Sequence, residues 1–225
     1  MNRPWQFPSP IERIAIVALS SFALLGLSGC GDPVDRAQIV SQDEMTISFF
    51  IEGAEDIVAI THSGAMPLKQ LPADIQPLQP TPAGHSLGLI AKVRDGDGAV
   101  IGFASELEDF PIVDEFNDKN VWDTYWTVVI NGRGSLLLYE KESLGPEVGS
   151  IFSETHKRTD DWTGNLVHAS NVGPAPSGLG VIVGGTGEFS GADGTFEEIG
   201  TLRRFTPDGD IDASIELRVK YTPAP

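Results

Sequence analysis

At 225 residues the chain has room for one sizeable domain. Its 32 acidic residues against 15 basic give a formal charge of -17, and with no Lys/Arg stripe this argues against a nucleic-acid partner. Cys30 is the single cysteine, so no internal disulfide can form, and His62, His85, His156 and His168 are scattered without ligand spacing. No metal and no cofactor is expected.

The chain opens as an export leader over residues 1–29: Arg3 and Arg13 make a basic start, and Ile14 to Leu27 an apolar run too short to span a bilayer permanently. Leu27-Ser28-Gly29-Cys30 resembles a bacterial lipobox, which implies cleavage before Cys30 and acylation, palmitate included, of that cysteine. The lipid would have to be the anchor, because loss of Arg3, Arg13 and Glu12 with the leader leaves a still more acidic chain that anionic lipid repels. Residues 30–43 then read as a lipidated tether and 44–225 as the folded domain. With Gly31 rather than Asp after Cys30, the outer membrane is favoured if the host has two.

Strand patterns dominate from Met45 onward. Met45 to Glu52 and Ile57 to Thr61 are rich in β-branched and aromatic residues about Gly53, which predicts an opening hairpin. Five prolines between Met66 and Gly84 predict a long loop, either a lid or a surface excursion. Leu87 to Val93 and Val100 to Leu107 flank Asp95-Gly96-Asp97-Gly98, a hairpin turn first and a calcium loop only second, since Val100 stands where an EF-hand needs glycine. Val121 to Ile130 and Ser135 to Glu140 flank Asn131-Gly132, a strong hairpin signal. Beyond Gly149, Ile151 to His156 and Gly164 to Ala169 are short predicted strands, and no segment after the leader shows helical periodicity. The chain closes with strands over Thr195 to Phe205 and Ile211 to Tyr221 about a Pro207-Asp208-Gly209-Asp210 turn. Regular strands with turn signals predict an all-β fold, one closed antiparallel barrel.

Val181 to Phe196 carries a glycine cluster that no helix would tolerate and reads as a β-turn-β unit. Its Gly184-Gly185-Thr186-Gly187-Glu188-Phe189 run, followed by Gly191, Ala192 and Gly194, resembles the signature of the superfamily of plant allene oxide cyclases and dirigent proteins. The resemblance extends from about Leu87 to Tyr221. It implies an eight-stranded, calycin-like barrel, commonly trimeric, that holds a small apolar molecule and steers cyclisation or coupling. It transfers no catalytic residue.

Trp122, Asp123, Tyr125 and Trp126 form the densest aromatic cluster, with Trp122 and Trp126 on one face of a strand and Asp123 and Tyr125 on the other. If the second face points inward, Asp123 and Tyr125 are candidate acid-base groups; if it points outward they are ordinary surface residues. Trp122, Trp126 and Tyr139 are candidate pocket residues. No nucleophile elbow and no phosphate loop occurs. Three classes stay open: a carrier of a small apolar or amphipathic molecule, an isomerase or cyclase, and a structural or interaction protein. Titratable groups converging on a cavity would favour the second, an apolar lining the first, and a filled interior the third.

Overall fold

The computed structural model describes residues 43–63, 69–79, 84–111, 119–155 and 157–224. Cys30, the leader, part of the proline-rich segment and His156 lie outside the described residues. In chain order the elements are β1 (Met45–Glu52), α1 (Gly53–Asp56), β2 (Ile57–His62), β3 (Lys69–Gln70), β4 (His85–Arg94), β5 (Val100–Phe110), β6 (Trp122–Ile130), β7 (Gly134–Glu142), α2 (Gly145–Thr155), β8 (Trp162–Ala169), β9 (Asn171–Gly173), β10 (Gly180–Gly187), β11 (Asp193–Phe205) and β12 (Ile211–Thr222).

Eight of these strands close an antiparallel barrel. The circuit runs β1-β12-β11-β10-β7-β6-β5-β4 and returns to β1 where Phe50 stands opposite Arg94. Side chains alternate about the wall, so Phe49, Ala91, Ala104, Val128, Leu136, Leu138, Leu217 and Val219 point inward and are buried. Burying each such large apolar side chain contributes about 1.5–3 kcal/mol. The hairpin turns predicted at Asp95, Asn131 and Pro207 are in place. Asp95 Oδ1 accepts from the Asp97 and Ala99 amides, which holds the β4–β5 turn, and the Asn131-Gly132 turn sets Trp126 opposite Leu138 and Trp122 opposite Glu142.

The glycine-rich segment seals one end of the barrel. Gly187 has φ +61, and a Cβ there would stand 2.4 Å from Arg133 O, so only glycine allows the close crossing at which the Glu188 amide donates to that carbonyl. The chain then drops Phe189 into the barrel, fully buried against Tyr221, with the Arg133–Glu188 ion pair above it. The β10–β11 hairpin itself is paired only at Gly180–Phe196 and Val181–Thr195.

Two expectations are corrected. β1 and β2 form no hairpin: α1 intervenes, its Asp56 accepting from the Glu52 amide and from Arg94, and β2 pairs with β4 instead. Residues 151–155 belong to a helix, not a strand. Pro146 and Glu147 suit a first helical turn, and Val148, Phe152 and Thr155 then share one side, from which the Phe152 ring stacks on Phe205 with centroids 4.3 Å apart. This helix lies over the end of the barrel opposite Phe189.

Candidate functional site

Beneath α2 the barrel interior holds a cavity of about 210 Å³. Most of its lining is apolar: Leu87 and Leu89 from β4, Phe110, Trp122, Val148 and Phe152 from α2, Leu202 and Ile215. Against this wall stand four carboxyl side chains, Glu106, Glu108, Glu142 and Glu198, and a fifth, Glu140, lies behind them.

The strands place these acids in register. Glu106 on β5 pairs with Trp126 on β6, Glu108 with Thr124, Thr124 with Glu140 on β7, and Trp122 with Glu142, so all point inward at adjoining levels. Trp122 Nε1 donates to Glu142 Oε2 at 3.1 Å, and the Thr124 hydroxyl donates to the same oxygen. Trp126 Nε1 donates to Glu198 Oε2 at 2.8 Å. Asn171, where β8 gives way to β9, donates to Glu140 Oε2 and accepts the Glu198 amide at 2.6 Å. Glu140 is wholly buried and its Oε1 has no hydrogen-bond partner other than a neighbouring carboxyl. His168 also lines the cavity, its Nε2 3.0 Å from the Ser143 carbonyl oxygen.

Burial first, and then the repulsion of neighbouring carboxylates, pushes Glu106 and Glu108 well above the ordinary carboxyl range. The same two causes push Glu140 up to about 12 and Glu198 up to about 8. Glu142 is raised by burial as well, but Thr124, Ser170 and Trp122 favour its charged form and limit the rise. At neutral pH the group therefore carries shared protons, with Glu142 the member best equipped with donors to bear a negative charge. Carboxylate oxygens of Glu106, Glu142 and Glu198 lie within 4.8 Å of one another, a spacing that an oxygen-ligated cation can span.

The sequence candidates divide between the two faces of β6. Trp122 lines the cavity, and Trp126 points inward beside it, 1 % exposed. Asp123, Tyr125 and Tyr139 are on the outer face, away from the cavity. Tyr125 is 47 % exposed and stacks on Tyr139, and Asp123 accepts from Lys141 at 2.9 Å and from Tyr139 at 2.6 Å. Those two hydrogen bonds hold the Asp123 carboxyl below its ordinary value, the reverse of what an apolar pocket would do. The described part of the proline-rich segment, residues 69–79, contributes nothing to the cavity lining: Leu78 reaches toward Gly88 on the outside of β4.

Sequence reasoning misses the five glutamates. A usable signal lies in the Asn131-Gly132 turn, whose register sets Glu140 and Glu142 on the face of Trp122 and Trp126.

No family model matches the chain, and no curated protein matches it. Among solved structures, two pterocarpan synthase dirigent proteins are similar in shape. PsPTS1 is 14% identical at TM-score 0.44, covering 82% of this chain and 98% of its own. GePTS1 is 14% identical at TM-score 0.43, covering 87% and 97%. AbnU, an exo-specific intermolecular Diels-Alderase, is 8% identical at TM-score 0.37, covering 78% and 98%. At such identity and overlap, the site must be read from this chain's own residues.

Proposed function

We propose that the barrel binds a small, mainly apolar molecule beneath α2 and steers its isomerisation or ring closure by acid-base action of the buried glutamates. The observation that carries this reading is the convergence of four carboxyl groups on one largely apolar cavity. A carrier of an uncharged molecule needs no such group, and burying acids with no benefit to the ligand is costly. Protonated Glu108 donates to an oxygen of the substrate, and Glu142, its charge supported by Trp122 and Thr124, takes a proton from a neighbouring carbon or hydroxyl. A proton given and a proton taken leave substrate and product isomeric. Trp122 and Phe110, with ring centroids 4.9 Å apart, shape the apolar wall that limits the substrate's conformations.

Acylated Cys30 is proposed to hold this domain at a bilayer, in keeping with the lipobox-like Leu27-Ser28-Gly29-Cys30. The homotrimer that the dirigent resemblance implies would find an apolar outer face across β5, β6 and β7, where Leu107 stands opposite Tyr125 and Leu137 is exposed nearby.

The test is native purification of the full chain, identification by mass spectrometry of co-purifying small molecules, and turnover assays on them. The expected result is a bound species that the protein converts to an isomer, with conversion lost in Glu108→Gln and Glu142→Gln. An empty protein that also fails to bind an apolar fluorescent probe would overturn it.

A further inference from the structure

The donors around the five glutamates fall short of the acceptors. Trp122 and Thr124 share one oxygen of Glu142, which Ser170 also supports, Trp126 serves one oxygen of Glu198, and Asn171 one of Glu140; beyond these the carboxyls bond to one another, Glu106 with Glu108 and Glu140 with Glu198. Glu140 Oε1 is sealed from water with no donor other than a neighbouring carboxyl. Among the described residues no Lys or Arg lines the cavity, and the one basic side chain there is His168, whose Nε2 is engaged with the Ser143 carbonyl. Cationic side chains of the barrel wall instead pair on the outside, Arg218 with Glu197 and Glu216, and Arg203 with Glu52 and Asp212. Among the described residues inside the barrel, protons and His168 are what offset the crowding of negative charge.

We infer that the substrate or ligand of this cavity is an organic cation, a small ring-bearing primary amine whose ammonium group sits among Glu106, Glu142 and Glu198. This deepens the small-molecule reading given above and rests on it. An ammonium brings three donors and one positive charge to a place short of both. Three acceptors about 2.8 Å from a tetrahedral nitrogen stand about 4.6 Å apart, and the oxygens of these glutamates lie within 4.8 Å of one another. Calcium would accept the same three oxygens but takes six to eight oxygen ligands in all, whereas most of the remaining lining is hydrocarbon. That remainder, with Phe110, Trp122 and Phe152 in it, suits a hydrocarbon body. At about 210 Å³ the cavity is below the size of pockets for drug-sized ligands, which sets the body at one ring and a short chain. Anions, fatty acids included, are excluded by the same charge.

Three probes of one shape separate the possibilities: 4-phenylbutylamine, 4-phenylbutanol and 4-phenylbutyrate. Each is titrated calorimetrically into the full chain in lipid nanodiscs, with empty nanodiscs subtracted. The amine is expected to bind at least roughly tenfold more tightly than the alcohol, as one charge-assisted contact requires, and the carboxylate to show no binding. Glu106→Gln and Glu198→Gln are each expected to reduce that preference while alcohol affinity is kept, which also shows the variants folded. An alcohol that binds as well as the amine overturns the cation inference and leaves the small-molecule pocket standing. Calcium that binds and expels the amine overturns it in favour of a metal. Failure of all three probes to bind overturns the inference and the pocket together.

Discussion

Trp126 Nε1 donates to Glu198 Oε2 at 2.8 Å, which ties β6 to β11 through the barrel interior although the two strands share no edge. Each partner answers a need of the other: a fully buried indole N–H wants an acceptor, and a buried carboxyl oxygen wants a donor. Trp126→Phe is therefore expected to destabilise the protein by about 1–3 kcal/mol for the stranded oxygen, with a further loss from the smaller ring. Glu198→Gln keeps an acceptor for the indole and removes the charge, so its melting temperature should equal or exceed that of the wild type at pH 8. Differential scanning calorimetry of both variants checks the pair, and equal destabilisation by the two would contradict it.

The raised carboxyls predict an unusual dependence of stability on pH. Between the ordinary value of 4.5 and about 12, native Glu140 keeps a proton that the unfolded chain gives up, and Glu198 does so up to about 8. The native state thus binds more protons, and stability falls as pH rises. Outer carboxyls with lowered values, Asp56 beside Arg94 and Glu188 beside Arg133, act in the opposite sense but lose their contribution only in acid. The melting temperature should peak near pH 5 and decline through pH 9. Glu140→Gln should flatten that decline, matching the wild type near pH 5 and exceeding it at pH 9; a wild-type profile flat from pH 5 to 9 would disprove the scheme.

Turn chemistry and β-branched runs make most of the wall legible. The Asn131-Gly132 and Asp95-Gly96 turns fix two hairpins, and Ile215, Leu217, Val219 and Tyr221 mark one face of β12. β5 is legible as a strand but not in its facing. Phe103 and Leu107 are about half exposed on the outside, whereas Glu106 points in, so hydrophobic alternation there suggests the inverse of the true orientation. A strand that supplies acids to a cavity violates the pattern by which facing is read. The helix α2 is obscured for another reason: Ile151 and Phe152 have high strand preference, and packing of Phe152 on Phe205 decides against it.

Glycines of the barrel-sealing segment and β11 differ in what they tolerate. A Cβ at Gly194 would stand 2.0 Å from Lys220 O in the backbone of β12, while one at Gly184 would meet only the Leu137 side chain at 3.4 Å. Gly194→Ala should cost about 3 kcal/mol or more, because neither strand can yield without breaking the ladder. Gly184→Ala should fall within about 1 kcal/mol of the wild type. Urea denaturation of the two variants distinguishes a backbone contact from mere glycine content, since similar losses would point to the latter.

If Cys30 carries the anchor, Cys30→Ala should move the protein out of the membrane fraction, and intact-mass analysis of the wild type should show acyl chains on a residue-30 N-terminus. Unchanged membrane retention of the variant would remove the lipid anchor from consideration.

Asn171 joins the acids by a donor on one side and an acceptor on the other, Nδ2 to Glu140 and Oδ1 from the Glu198 amide. Asn171→Asp preserves shape and the amide contact but replaces the donor on Glu140 Oε2 with a sixth acidic group. Between the introduced carboxyl and Glu140 a hydrogen bond then needs one shared proton, which is held at pH 5 and harder to keep as pH rises. The variant should be close to wild type in stability at pH 5 and fall increasingly below it toward pH 9, a steeper decline than that of the wild type. Asn171→Leu, which removes both contacts, should instead be destabilised at every pH. Thermal melts across that range separate a proton-dependent defect from a simple loss of packing, and parallel curves for Asn171→Asp and the wild type would show that Asn171 does not govern the charge state of the cluster.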